Sequence, residues 1–425
     1  MNKRDRKEEL SMVASLDVKS LVCALKVEEQ SWTKAASQRV GRRNWFMTAI
    51  RLVKTTLNYK VFWRSNHESE VDVLVIGYSL NQCHSLSPVV DELKSAGLSV
   101  LYEELVEKGH SHWFDGLNRF QALVKTVTFL KMHPGARALD RSFDINVYKA
   151  FRNARITHES FKQVNPAYLL VSNDHTPRNL LIAACARFLN VPSGYVQHAH
   201  VTFNFPSPRY FTDLFLDGPI AARVYNQLTE GLARPPQLHQ VGPVRFQNHK
   251  RSPNGLKGEQ RACIGIGMDY QCNLMQASDF RALQAYPARF AVRFHPRTAA
   301  KLKSSTMASF HKYGIDIVDF DDSSAEAFLS QISSLITGTS SIVLDAAHQG
   351  VPSFVLRNKS DYYGFIQEGL VQNAETLPET FELFNRMIDQ IGLEDGLGQY
   401  FAQDIAAKEM PSARVSRIIH RRVLS

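Results

Sequence analysis

An α/β fold in two domains, each built on a parallel sheet, is predicted by three features of the sequence. Short, nearly continuous apolar runs recur from Val71 onward and alternate with segments of helical spacing, the pattern of strands covered on both faces and of the helices joining them. The chain has 425 residues, too many for one ordinary core at roughly 150 residues per domain. A polar, Pro- and Gly-containing stretch over residues 249–260 interrupts the alternation before it restarts, as a linker would. The expected division is a basic helical extension over 1–66, a first α/β domain over 67–248, the linker over 249–260, and a second α/β domain over 261–425.

Composition narrows the functional classes. Hydrophobic residues make up 44% and charged residues 21%, ordinary values for a globular protein and not for a disordered one. A formal charge of +9 favours an anionic partner: nucleic acid, an anionic membrane or a phosphorylated substrate. The five cysteines, Cys23, Cys83, Cys185, Cys263 and Cys272, are scattered and form no C-x-x-C pair, so neither a disulfide framework nor a zinc site is indicated and a reducing cytoplasm fits. Residues 1–10 are charged, and no run reaches the ~18 apolar residues of a spanning helix.

Between Ser31 and Arg64 the basic residues Lys34, Arg39, Arg42, Arg43, Arg51, Lys54, Lys60 and Arg64 occur without an acid, interleaved with Trp32, Trp45, Phe46, Leu52, Phe62 and Trp63. That composition suits a helix lying on an anionic membrane surface. The alternative is a basic helix packed on the next domain with a solvated outer face, and amphipathic helices more often face a core than a membrane.

The first sheet opens with Val71–Tyr78, followed by a helix over Leu86–Ala96, Gly97 as its cap and a strand over Leu98–Tyr102. The turn Gly77-Tyr78-Ser79-Leu80-Asn81 lacks the G-x-G-x-x-G spacing of dinucleotide binding, which disfavours an NAD-type enzyme. Helices are expected over 114–131 and 143–164, and a strand over Pro166–Ser172 that leads into Asn173-Asp174-His175-Thr176-Pro177-Arg178. That exit reads as an acid, an imidazole and a cation at a strand end, or as a capped helix start with Pro177 in its first turn. After the helix Asn179–Leu189, the strand within Val191–His200 exits through Gln197, His198 and His200. Asp213–Leu216 is the next strand, Asp217-Gly218-Pro219 starts a helix reaching Leu228, and Leu238–Val241 closes this half.

The second half restarts with the strand Ala262–Gly267. Phe290–Val292 runs into Arg293-Phe294-His295-Pro296-Arg297, where the proline ends the strand and leaves His295 and Arg297 at its carboxyl end. Leu335-Ile336 passes through Thr337-Gly338-Thr339-Ser340-Ser341 into a helix over Ile342–His348, with Ser340 or Ser341 as its N-cap. Phe354–Leu356 is a last strand, and helices follow near Glu379–Ile391 and Gly398–Ala407. Ligands of open α/β sheets bind beyond strand carboxyl ends, and a helix start offers unpaired amides to an anion. His295, Arg297, Thr339, Ser340 and Ser341 therefore form the candidate diphosphate site, together with Gly267 at a neighbouring strand end and Asp345 in the helix's first turn.

For proton transfer the candidates are Asp174, His175 and His198. Imidazole titrates nearest neutral pH, and His198 is favoured as base, with Asp174 on the adjacent strand expected to orient it. No D-x-D triplet stands at a strand end, and Asp319-Phe320-Asp321-Asp322 reads as a loop capping a helix near Ser324. Neither a metal nor another cofactor is expected.

Taken in order, Asn173-Asp174-His175, Gln197-His198-Ala199, Asp217-Gly218, Val241-Gly242-Pro243-Val244-Arg245-Phe246, His295-Pro296 and Thr339-Ser340-Ser341 through Gly350-Val351-Pro352 resemble bacterial surface-polysaccharide glycosyltransferases of the GT-B architecture. Among these are the CDP-glycerol glycerophosphotransferases, capsule transferases and sialyltransferase-like enzymes. The similarity spans roughly residues 70–370 and implies two Rossmann-like domains facing across a cleft. It implies that His295, Ser340 and Ser341 bind the donor's phosphates and that His198 occupies the place of a Gln-His-Gly base, with Ala199 here replacing the glycine. Asp217-Gly218 lacks the first acid of the sialyltransferase motif. The implied activity is transfer of a sugar, or of a polyol phosphate, and the implied partners are a nucleotide-sugar donor and a glycan or lipid-linked glycan acceptor, at the cytoplasmic membrane face. A sugar-nucleotide 2-epimerase of the same fold, similar at Arg357 after the last strand, is the alternative enzyme. A basic nucleic-acid-binding protein is the alternative from another class, weakened because the N-terminal basic residues come with no helix-turn-helix, zinc or RNA-binding signature.

Overall fold

The computed structural model describes residues 70–104, helical positions at 123–124, 126–127 and 148, and residues 157–203, 205–247, 263–269, 271–295, 298–320, 324–338, 340–357, 364–387 and 409–424. The basic segment 31–64, the linker 249–260, Arg297, Thr339 and the helix expected over 398–407 lie outside these. The described residues fall into two compact units. Unit 1 takes residues up to Asp217, Ala221–Arg245 and the C-terminal residues from Asp404; unit 2 takes 218–220 and Phe246–Gln403.

Unit 1 is a six-stranded parallel sheet in the order β2-β1-β3-β4-β5-β6. Its strands are β1 (Val73–Gly77), β2 (Val100–Glu104), β3 (Tyr168–Val171), β4 (Ser193–Val196), β5 (Asp213–Leu216) and β6 (Gln237–Gln240). Period-two alternation sends Leu74, Ile76, Leu169 and Val171 to one apolar layer, and Val73, Val75, Tyr168 and Leu170 to the other. This is why the strands read as continuous apolar runs. Helix α1 (Leu80–Ser95) starts at Ser79, whose hydroxyl accepts from the Gln82 amide at 3.4 Å. It ends before Gly97, which takes φ +84°, the left-handed conformation of a helix stop. Helix α2 (Pro177–Phe188) connects β3 to β4, and α3 (Pro219–Thr229) follows β5. Gly194 in β4 has no room for a methyl group: a Cβ there would lie 2.5 Å from the Tyr168 hydroxyl and 2.8 Å from the Phe215 ring.

Unit 2 repeats the design with the order β12-β11-β10-β7-β8-β9, again all parallel. Its strands are β7 (Cys263–Gly267), β8 (Arg289–Arg293), β9 (Ile317–Asp319), β10 (Ser334–Thr337), β11 (Ser353–Leu356) and β12 (Gln372–Ala374). Between them run α4 (Ala277–Ala285), α5 (Ala300–Lys312), α6 (Ala325–Leu329) and α7 (Ile342–His348), and α8 (Leu377–Met387) follows β12. Helix α6 starts near Ser324 as expected, and Ser324 itself caps it by accepting from the Ala327 amide at 3.1 Å.

One assignment is corrected. The C-terminal segment, expected in the second domain, belongs to unit 1. Helix α9 (Pro411–Leu424) buries Val415 and Ile419 against Val73, Val75, Leu86 and Val241. Its Arg422 donates to Asp213 at 3.0 Å. Cys83, Cys185, Cys263 and Cys272 form no disulfide. Among the described residues, no helix is long and apolar enough to cross a membrane.

Candidate functional site

Strand order locates the ligand-binding end of each sheet. In unit 1 the chain runs from β1 outward to β2 and then returns to β3 on the other side of β1, so the order reverses between β1 and β3. In unit 2 it reverses between β7 and β10. The crevice beyond the strand carboxyl ends at such a switch point is where open α/β sheets bind ligands.

At the unit 1 switch point β3 delivers Ser172, Asn173, Asp174 and His175. The Asn173 side chain accepts from the backbone amides of His175 and Thr176 at 3.2 and 2.9 Å, an Asx-type turn that swings the chain into α2. Asp174 is fully buried, with its carboxylate divided between two partners. One oxygen meets His175 Nδ1 at 3.1 Å, and the other accepts from the Tyr225 hydroxyl of α3. The imidazole of His175 also lies 4.3 Å from the Phe205 ring, centroid to centroid. Burial drives the Tyr225 hydroxyl well above its ordinary pKa, and the adjacent Asp174 charge adds to this; Tyr225 is therefore a donor to Asp174. Arg178 stands 4.4 Å over the ring of Tyr78, the residue after β1.

The expected Asp174–His198 pair is not formed: Asp174 is bonded to His175 and Tyr225, and His198 Nδ1 has no hydrogen-bond partner. His198 leaves β4 with its Nδ1 buried and unpartnered. Burial, with His175 and Arg245 nearby and Asp174 only partly opposing them, lowers its pKa to about 3. Its imidazole is neutral at neutral pH and weakly basic. Sequence alone cannot separate the two histidines, because whichever side chain turns toward Asp174 wins the carboxylate.

Two residues not assigned a role from sequence complete this end. The Gln197 side chain accepts from the Asp217 amide at 2.9 Å and donates to the Ala199 carbonyl at 3.1 Å, joining the exits of β4 and β5. Arg245 donates to the His198 carbonyl at 3.0 Å. Asp217 is buried, and its Oδ2 has no hydrogen-bond partner. Burial pushes its carboxyl up to about 7, against the opposing pull of Arg245.

The raised Asp217 pKa predicts a pH effect. Between the ordinary carboxylate range and about pH 7 the folded chain keeps a proton that the unfolded chain has lost, so a stability contribution that is fully present below this interval falls as pH rises across it. That contribution disappears as pH rises through 7. Asp217→Asn, which cannot ionise, should flatten the decline of the urea midpoint across this interval. An unchanged profile would mean that Asp217 is already ionised below it.

In unit 2 the switch point brings together Gly267 and Thr337, whose hydroxyl donates to the Gly267 carbonyl at 2.9 Å. His295 follows β8 beside it, set by the buried Phe294, and is half-buried. Ser341 is the N-cap position of α7 but makes no side-chain cap bond. Ser340 Oγ instead accepts from the Ile342 amide at 3.4 Å. Both serines and Asp345 are half-buried at or just inside the helix start. The His295, Gly267, Ser340 and Ser341 positions thus share one sheet end, while Arg297 and Thr339 are not described. Arg357 holds a backbone φ of +56° after β11 and pairs with buried Asp279 through two hydrogen bonds of 3.1 and 2.6 Å. It also donates to the Leu274 carbonyl; in this structure it clamps the strand exit to the start of α4. Among the described residues, no group of three or more His, Cys, Asp or Glu is arranged to hold a metal.

No protein-family model matches the chain, and no curated protein matches it. Solved structures do. A Staphylococcus aureus MnaA–UDP structure shares 12% identity over 83% of this chain and 97% of its own, with a TM-score of 0.53. The Methanocaldococcus jannaschii UDP-GlcNAc 2-epimerase in complex with UDP-GlcNAc and UDP shares 14% over 82% and 99%, with 0.54. A Neisseria meningitidis UDP-GlcNAc 2-epimerase bound to UDP-GlcNAc shares 13% over 83% and 99%, with 0.52. At such identities the likeness concerns the fold, and the fold is of the GT-B type.

Proposed function

We propose that this chain acts on a nucleotide-sugar, holding the donor's diphosphate at the β7/β10 end of unit 2 and moving a proton at the β1/β3 end of unit 1. The reaction we assign is transfer of the sugar to a hydroxyl of a surface glycan. The observation that carries it is His175, held through Nδ1 by a buried carboxylate at a switch point. An acceptor hydroxyl must lose its proton as it attacks, and an oriented imidazole is suited to take it. The leaving nucleotide gains negative charge, which His295 and the amides and hydroxyls at the start of α7 would meet. Neither a metal nor another cofactor is part of this reading. Residues 31–64 would bring the enzyme to a membrane-borne acceptor.

A second reading, 2-epimerisation of a UDP-sugar, is favoured by the neighbours of like fold, two of which are named as UDP-GlcNAc 2-epimerases. The two reactions break different bonds. Inversion at C2 breaks the C2–H bond, so incubation with UDP-GlcNAc in deuterated water would produce the C2 epimer carrying deuterium, with no acceptor present. Transfer keeps that bond and releases UDP only when acceptor is added. Proton NMR of the sugar together with UDP release decides between them, and absence of both would end the proposal.

The donor-site assignment has its own test. Replacing His295, or Ser340 and Ser341 together, with alanine should weaken UDP binding by ~1–3 kcal/mol, the scale of hydrogen bonds to charged groups. Unaltered affinity by titration calorimetry, in variants that melt like the parent, would place the nucleotide elsewhere.

A further inference from the structure

The opposite end of the unit 1 sheet carries a feature that the proposed reaction does not use. Beyond the amino-terminal ends of β4, β5 and β6, two adjoining cavities of about 360 and 340 Å³ share Arg187, Tyr210 and Arg234 in their walls. Arg422 lines the first and Arg209 the second. Four guanidinium-bearing residues therefore surround the pair, and no aspartate or glutamate does.

Two of these arginines are held in place. Arg187, in the last turn of α2, donates to the Arg209 carbonyl. Arg422 reaches in from α9 and is fixed by Asp213 and by Gln237 at 2.8 Å. The buried Asp213 carboxylate is paired with Arg422 and offsets that arginine's charge, so Arg187, Arg209 and Arg234 supply the net positive charge of the groove. Guanidinium groups with fixed orientation recognise phosphate oxygens in a bidentate manner and do so better than flexible ammonium groups. Two linked cavities, with Arg187 and Arg234 in the walls of both and Arg209 in the second, match an extended anion rather than a single ion.

We infer that this groove is a binding site for a ligand bearing two or more linked phosphates, separate from the nucleotide site of unit 2. Sugar-phosphate chains and free polyphosphates share that chemistry.

The test uses the full chain with pyrophosphate and tripolyphosphate as probes, at constant ionic strength. Calorimetry should show saturable binding that tightens from pyrophosphate to tripolyphosphate. Arg234→Gln and Arg187→Gln should each weaken the tripolyphosphate binding of the groove by about tenfold, the scale of a charged hydrogen bond, while His295→Ala removes only binding at the proposed nucleotide site and leaves this arginine-dependent binding intact. Arg234 is exposed, so its variant is safe for folding, and Arg234→Glu should abolish binding outright. A phosphorylated oligosaccharide that competes with tripolyphosphate would identify the source as a glycan; failure to compete would leave free polyphosphate. Two results overturn the inference: no saturable binding, or binding lost with His295→Ala and kept in the arginine variants, which would assign the anion to the proposed nucleotide site.

Discussion

His175→Ala should lower turnover of the nucleotide-sugar by about 10²- to 10⁴-fold, the usual worth of a positioned base, with UDP affinity nearly unchanged. Asp174 accepts at Nδ1 of the ring, which places the Nδ1 proton between them and leaves Nε2 with its lone pair available. Phe205 limits rotation from one face. Tyr225 occupies the second carboxylate oxygen, so Asp174 has no other group to turn to. Asp174→Asn should be nearly as damaging, since the amide can present its NH₂ to Nδ1 and stabilise the wrong tautomer. His198→Ala should cost less: its neutral, weakly basic imidazole is poorly matched to taking a proton near pH 7. Steady-state rates of the three variants at saturating donor, with transfer or epimerisation as the readout, rank them. A His175 variant turning over normally beside a dead His198 variant would reverse the assignment.

How much of this could be read from the sequence depends on how local the signal is. Strand β5 and helix α7 fall where the sequence places them, residue for residue, because a bounded apolar run and a small-residue helix start are both short-range patterns. Strand β2 begins two residues later than its apolar run suggests. Leu98 is buried, but in the turn that leads into the strand, and hydrophobicity does not distinguish the two. Helix α9 conceals its Val415 and Ile419 stripe among arginines, and its attachment to β5 joins residues 209 positions apart. Proximity in sequence therefore pointed to the wrong unit. The strand ends carrying Asp174, His175, His295 and the Ser340-Ser341 pair were legible, whereas the switch points that single them out require the strand order. Tyr225 gave no signal: it is one aromatic residue on an amphipathic helix until the fold brings it to Asp174.

Asp213→Ala should destabilise unit 1 by about 3 kcal/mol, the lower end of the range for removing one partner of a buried charged pair. Asp213 is fully buried at the start of β5 and gathers three other elements. Tyr168 of β3 donates to one oxygen at 3.0 Å, and His239 of β6 and Arg422 of α9 reach the other at 2.8 and 3.0 Å. Alanine would leave the buried Tyr168 hydroxyl without its acceptor. Arg422 would suffer less, since its side chain is 31% exposed and keeps Gln237, which is why the lower figure is expected. Burial pushes the Asp213 carboxyl up, but the hydrogen bonds from His239 and Arg422 outweigh it and hold the group below its ordinary value. A depressed carboxyl contributes stability that is present above the ordinary carboxylate range and is lost as pH falls through the folded value. The parent should therefore lose more stability on acidification than Asp213→Asn, which has no charge to lose. Urea midpoints at neutral and acid pH measure both effects, and amide exchange in α9 should accelerate in the alanine variant because Arg422 loses its carboxylate anchor and keeps only Gln237. Equal midpoints and unchanged exchange would mean that α9 is held by Val415 and Ile419 alone, with the carboxylate adding no net stability beyond its cost of burial.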